Sequence, residues 1–298
     1  FVNPHLDEVV FMRMPPGYQE QDTIFRLRKA LYGLRRSPLL WQKELTKTLL
    51  EIGYERVPHE PCAFIRNGVI IFFYVDDIVI AYRKERRTTA PRAVIELKQR
   101  YKLQGGDNLH WFLGIRVVRS RPQRKIWLAQ TSYIDKIASL ASVKQPEKIP
   151  MGRQELLPHE DYASAEEIRS YQRKIGSLMY VAVHTRPDVA FAVSRLARFM
   201  TNPGPEHHEA ADRVLNYLAH TKYLGLQFGG DNDLRVASDA SFADNTLDRK
   251  SSQAFAMKLF GGMIGWRANK QDTVTTSTTE AELLALAQAA KESMFVSR

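Results

Sequence analysis

Val69-Ile70-Ile71-Phe72-Phe73-Tyr74-Val75-Asp76-Asp77-Ile78-Val79-Ile80-Ala81-Tyr82 is the stretch on which the fold turns. Two β-branched and aromatic runs, each of strand length, flank a pair of adjacent carboxylates. The pattern predicts a hairpin of buried strands with Val75-Asp76-Asp77 at its turn. The residues leave two readings of the acids open. Asp is common in turns, so a solvated β-turn is one. The other starts from repulsion: like charges this close oppose each other's ionisation, and a divalent cation removes that cost. Two metals about 3.5–4 Å apart can activate an attacking oxygen and stabilise a leaving one. The large apolar residues on both sides favour this second reading.

Upstream, residues 37–53 read as a helix, with Ser37 as N-cap, Pro38 in the first turn and Gly53 as the stop. Trp41, Leu45, Leu49 and Ile52 recur at helical spacing. Downstream, residues 111–118 and 125–128 look like a second strand pair, and 131–140 like a short helix. Residues 146–158 read as a polar linker. From 165 to 221 the pattern is helical, with breaks at Arg186-Pro187 and Asn202-Pro203-Gly204. Three strands near 234–237, 253–259 and 263–267 precede a last helix that begins near Ser277.

Composition sets the bounds. With 298 residues, 44% hydrophobic and 26% charged, the chain suits about two globular domains and not a disordered segment. No uncharged apolar run reaches the roughly 18 residues of a membrane span. A single cysteine, Cys62, excludes an internal disulfide framework and a cysteine-based zinc site, and it reads as buried more than reactive. The chain starts at Phe1 with no signal-peptide pattern, so a processed product or a fragment is expected. The formal charge of +10 is uneven: residues 1–150 carry 26 basic and 15 acidic side chains, and 151–298 carry 17 and 18. Within 83–125 there are 13 basic and 3 acidic residues. That block is either a solvated surface or a track for a polyanion such as nucleic acid phosphates.

The hairpin and its neighbours resemble the reverse transcriptases. Met14-Pro15-Pro16-Gly17-Tyr18 and Lys29-Ala30-Leu31-Tyr32-Gly33-Leu34-Arg35-Arg36-Ser37-Pro38, followed by Trp41, narrow the likeness to copia-type retrotransposon polyproteins. Phe112-Leu113-Gly114, Gly176-Ser177-Leu178 and Thr185-Arg186-Pro187-Asp188 follow in the family's order, and the likeness runs from Phe1 to Arg298. The resemblance implies an α+β right-hand polymerase palm and thumb over 1–150, lacking fingers and the first palm strand. A helical connection over 151–230 and a C-terminally truncated ribonuclease H-like α/β domain over 231–298 would follow. Asp76 and Asp77 would hold Mg²⁺, with Mn²⁺ as an alternative, for phosphoryl transfer from a dNTP to a DNA primer on an RNA template. Tyr74 would sit against the primer end, Gly33 and Ser37 near the incoming nucleotide, and Phe112, Leu113 and Gly114 near the primer grip. Phe1 would fill the position that disfavours a ribose 2′-OH. Arg116, Arg119, Arg121, Arg124 and Lys125 would face the RNA–DNA hybrid. By family, the setting is intracellular, in cytoplasmic virus-like particles and the nucleus.

A second pair of acids stands in Ser238-Asp239-Ala240-Ser241 and Glu280-Ala281-Glu282. Acids in a first helical turn have a structural explanation in the helix dipole. The resemblance to ribonuclease H assigns Asp239 and Glu282 to metals and leaves Glu280 as a solvated or capping residue. The family's third polymerase carboxylate would lie about five residues before Phe1, and later ribonuclease H acids beyond Arg298. Little polymerase activity is therefore expected of this chain, and a primer-extension assay checks that. The last ~70 residues are expected to be marginal alone, with an unpaired sheet edge and an uncovered face. A catalytically dead remnant that at most binds nucleic acid is the alternative, and an unrelated two-metal nuclease or DNA-templated polymerase fits the ordered motifs less well. His207 and His208 read as a surface helix start, and Trp41, Trp111 and Trp127 as core residues before stacking platforms.

Overall fold

The structure is a computed structural model that describes all residues except 1, 15–16, 18–22, 89, 107, 143–144 and 298. The chain separates into two compact units, Phe1–Leu109 and His110–Arg298. In the first, β1 (His5–Arg13) and β2 (Ile24–Lys29) form an antiparallel ribbon. Then come α1 (Ser37–Glu51), β3 (Glu55–Arg56), β4 (Ala63–Arg66), β5 (Val69–Tyr74), β6 (Asp77–Tyr82) and α2 (Ala90–Arg100). The four later strands make an antiparallel meander in the order β3-β4-β5-β6. Trp41, Leu45 and Leu49 of α1 and Ala93 and Leu97 of α2 pack on Phe64, Ile71 and Phe73 of the sheet. Full burial of a large apolar side chain stabilises by roughly 1.5–3 kcal/mol, so this layer holds the hairpin.

Two expectations change here. The strands are buried on one face only: Val69, Ile71 and Phe73 point inward, while Ile70 and Tyr74 are 38% and 60% exposed. The N-cap of α1 is Arg36, and Ser37 is already helical. Ser37 is fully buried, and its hydroxyl accepts a hydrogen bond from the Leu31 N–H at 3.2 Å. It closes the preceding loop instead of capping the helix.

The second unit opens with β7 (Trp111–Phe112), β8 (Ile115–Ser120) and β9 (Lys125–Ala129), followed by α3 (Thr131–Ala138). The expected strand over 111–118 is broken at Leu113-Gly114. Both residues have positive φ, 50° and 77°, as a two-residue hairpin turn requires. Next come α4 (Ala165–His184), α5 (Ala190–Leu196), α6 (Pro205–His220) and β10 (Leu226–Phe228). Ser164 and Glu167 form a reciprocal capping box at the start of α4. Tyr171, Ile175, Leu178, Leu196, Val214 and Leu218 build the helical core, and α3 adds Ile134 and Ile137. Met151 and Leu156 of the expected linker pack on that core. β10 pairs with β9, giving the order β10-β9-β8-β7, so residues 110–150 fold with the second unit.

The helix breaks fall where expected. Arg186 is 1% exposed and grips Asp188 with Nε and Nη2 at 2.9 and 2.7 Å. It also donates to the Thr221 carbonyl at 3.1 Å. Burial works against the Asp188 charge, but the Arg186 fork and the Tyr217 hydroxyl outweigh it and hold the carboxyl below its usual range. His207 departs from the surface reading: it is fully buried, stacks on Phe199 and accepts a hydrogen bond from the Gly204 N–H at 2.7 Å.

The chain closes with β11 (Arg235–Ser241), β12 (Ser252–Leu259), β13 (Gly262–Lys270) and α7 (Thr278–Val296), with the strands antiparallel in the order β11-β12-β13. Phe255 and Met257 meet Ala289 of α7 on one face. The other face is not bare, against expectation: Trp266 donates from it to the Ala182 carbonyl of α4 at 2.7 Å. Gly229 and Gly230 N–H groups both donate to the Phe260 carbonyl at 2.8 Å. The backbones touch there so closely that a Cβ on Gly230 would lie 2.7 Å from the Gly261 Cα. Among the described residues no helix is long and apolar enough to cross a membrane.

Candidate active site and nucleic-acid interface

Tyr74 pairs with Asp77, so the hairpin turn is Val75-Asp76 and Asp77 already belongs to β6. Val75 has φ 53°, an uncommon conformation for a β-branched residue. Its carbonyl is held by the buried Trp41 indole, whose N–H donates at 2.5 Å. The core helix α1 thus clamps the turn that presents the acids. Asp76 and Asp77 are both exposed, and the Tyr32 hydroxyl donates to Asp76 Oδ2 at 2.9 Å. That hydrogen bond, with Asp76 negative, raises the Tyr32 pKa. Directly opposed side chains in an antiparallel pair share a face. Tyr74 and Asp77 therefore stand together on the open side of the sheet.

Mg²⁺ is commonly held by one or two carboxylates with water and substrate phosphates. Two exposed carboxylates on a fixed turn fit that donor set. Among the described residues no group of three or more His, Cys, Asp and Glu side chains gathers as a ligand set. Gly33 has φ 93° with open space where a Cβ would stand, so its need for glycine is conformational. Phe1 lies outside the described residues, as do Pro15, Pro16 and Tyr18 of the upstream motif.

In the second unit the Leu113-Gly114 turn rests on α4 through the Tyr180 hydroxyl, which donates to the Leu113 carbonyl at 2.9 Å. Register sorts the basic residues of the β8–β9 hairpin. Arg116 and Lys125 share a face with Trp111 and Trp127, through the pairs Trp111↔Arg116, Val118↔Trp127 and Ser120↔Lys125. Arg119 stands on the opposite face with Phe112 and Val117, and Arg121 and Arg124 lie in the connecting turn. The five residues do not form one stripe. Trp111 is 50% exposed, and Trp127 donates to Gln227 Oε1 at 3.0 Å, so neither is a pure core residue.

Asp239 lies within β11 opposite Ala254, on the sheet face away from Phe255, Met257 and α7. Glu282 is exposed just past the first turn of α7, next to the buried Ala281. Glu280 caps that helix: its carboxylate accepts from the Thr276 N–H and hydroxyl, which hold it below the usual glutamate range. Sequence reasoning missed Tyr32 and Trp41 as partners of the hairpin, since each contact spans more than thirty residues of chain.

A family profile described as reverse transcriptase (RNA-dependent DNA polymerase) matches residues 1–151. The retrovirus-related Pol polyprotein from transposon TNT 1-94 of Nicotiana tabacum is 32% identical over 315 residues, covering 100% of this chain and 24% of the relative. The corresponding polyprotein from transposon RE1 of Arabidopsis thaliana is 33% identical, covering 99% of the chain and 21% of the relative. The putative transposon Ty5-1 protein of Saccharomyces cerevisiae is 29% identical, with 98% of each covered. The chain thus spans under a quarter of the two plant polyproteins. With the profile over its first half and these relatives along its whole length, the chain belongs to the reverse transcriptase family, as the reverse transcriptase region of a copia-type retrotransposon Pol polyprotein.

Proposed function

We propose that the chain supplies the polymerase hairpin for RNA-templated DNA synthesis, in which a dNTP is joined to a DNA primer 3′-OH. The clamped turn carries this reading: a core helix fixes two adjacent carboxylates at an exposed tip. Asp76 and Asp77 would hold Mg²⁺ or Mn²⁺, which when bound supplies charge neutralisation at the transferring phosphoryl group. The work of the chain is positional. Trp41 fixes the turn, Tyr32 orients Asp76, and Tyr74 would meet the primer end. Gly33 and Ser37 shape the loop before α1 that would face the nucleotide, and Phe112-Leu113-Gly114 would contact the primer strand. The face with Arg116, Lys125, Trp111 and Trp127 combines phosphate neutralisation with base stacking.

Residues 231–298 are read as a ribonuclease H-like segment that would cleave RNA in the hybrid, with 151–230 as the connection; the resemblance assigns Asp239 and Glu282 to its metals, although Asp239 faces away from the helix that carries Glu282. An antiparallel three-strand sheet with a helix on one face supports this. A catalytically dead remnant that at most binds nucleic acid is the alternative.

Paramagnetic broadening by Mn²⁺ tests the metal-holding role without requiring turnover. Amide resonances of residues 74–77 should vanish first, and Asp76→Asn with Asp77→Asn should restore them. Broadening that ignores the double substitution overturns the assignment. For the hybrid, neutralising Arg116 and Lys125 should flatten the slope of log affinity against log salt by about one for each phosphate left without its cation. An unchanged slope returns that face to plain solvent.

A further inference from the structure

A cavity of about 570 Å³ in the second unit lies between residues 151–159, the end of α5 with the turn that follows, and the 244–248 loop. Its volume is in the range of small-molecule sites. The carboxylates in its wall are each answered. Asp244 takes Arg195 at 3.0 Å and the Ser252 N–H and hydroxyl at 2.7 and 2.8 Å. Asp248 takes Lys270 at 2.5 Å, and Glu155 takes the Thr246 hydroxyl at 2.8 Å. Arg198 is half-buried in the same wall and has no hydrogen bond or ion pair among the described residues. Burial, then the nearby Arg195 charge, lowers its pKa, and the Asp244 and Asp248 carboxylates, turned to other partners, only partly oppose this. Arg153, exposed on the rim, has no carboxylate partner among the described residues either.

A half-buried guanidinium with no anion hydrogen-bonded to it is costly to hold, and its fork suits phosphate or carboxylate oxygens. Two guanidinium groups with no hydrogen-bonded anion among the described residues match a doubly charged anion. A phosphate monoester carries about −1.5 to −2 at neutral pH, where a carboxylate carries one charge. The cavity exceeds a bare ion, and Phe191, Phe199 and Leu156 line it, so an organic body fits beside the anion. We infer that this cavity is a binding site for a small phosphate monoester, with Arg198 as the anion-receiving residue and Arg153 as its rim partner.

Calorimetric titration of the whole chain at low salt tests this with adenosine 5′-monophosphate, glucose 6-phosphate, inorganic phosphate and adenosine as probes. Adenosine 5′-monophosphate should bind saturably, inorganic phosphate more weakly, and adenosine not at all. Glucose 6-phosphate binding alongside would assign any phosphate monoester, and its failure a nucleotide. Hydrogen exchange should slow at 151–159 and 195–202. Arg198→Gln should weaken binding by roughly tenfold or more, and Arg198→Lys by less. Unchanged affinity in the glutamine variant, protection at 74–77 instead, or no saturation up to about 10 mM, near the weak limit of specific binding, overturns the proposal. Should Arg198→Gln fail to fold, the exposed Arg153→Gln serves. It should lose about twofold, in line with a rim charge, and full retention overturns the assignment.

Discussion

The two acid pairs stand on different foundations. Asp76 and Asp77 project from a turn braced by Trp41, in a core with Phe64, Phe73, Leu45 and Leu49. Glu282 projects from a helix that buries only Ala281, Ala285 and Ala289 and leaves Leu283 and Leu286 59% and 55% exposed. Large side chains resist sliding because each interlocks with several neighbours, whereas alanines give area without interlock. The first pair is therefore fixed by its own unit, while the second is placed by a thin contact.

Trp41→Ala puts this contrast under the greatest load. It should cost about 3–5 kcal/mol, since a cavity opens and the Val75 carbonyl loses its donor. Hydrogen exchange at 69–82 under increasing urea reads that loss; a cost below that of Ala285→Gly would erase the contrast. Ala285→Gly itself should cost about 1 kcal/mol from helix propensity, read at 253–267. Ser277→Ala should cost close to 1 kcal/mol as well, because its hydroxyl accepts the Glu280 N–H at 3.1 Å. A loss confined to α7 would show that the helix can loosen independently.

A smaller effect appears with pH. Asp248 sits at about 2, chiefly because Lys270 donates to it. Its unfolded value is near 3.9, so the folded state releases the proton more readily. The stabilisation is complete above about pH 4 and disappears as pH falls toward 2. Asp248→Asn should narrow the gap to wild type in melting temperature over that window; a gap that stays constant below pH 3 sinks this. Smallest of all, Leu286→Glu should move stability by no more than about 0.5 kcal/mol, given its exposure. A larger loss would mean that a partner covers α7.

Much of the frame was legible in sequence. The hairpin of 69–82, the helix around Trp41, both helix breaks and the last helix follow from apolar period, Pro, Gly and capping residues. The failures share a cause. Ser37 carries the signature of an N-cap, yet a buried bond to Leu31 placed it one step inside the helix. Leu113-Gly114 lacks the usual Asn-Gly signal, so a turn hid within an apolar run. His207 is polar by composition, and only the packing of Phe199 reveals it as buried. Trp41 and Tyr32 act across long stretches of chain, where local pattern has no reach. The basic block could be counted, but only register could split Arg116 from Arg119.

The glycine seam at 229–230 has a mechanical meaning. With both N–H groups on one carbonyl and no room for a methyl, the stretch between β10 and β11 is unsuited to act as a hinge. The β11–β13 sheet would then follow the β7–β10 sheet as cargo riveted to a plate. A single methyl at Gly230 would work as a wedge driven under the rivet, loosening one sheet from the other while leaving every charged side chain in place.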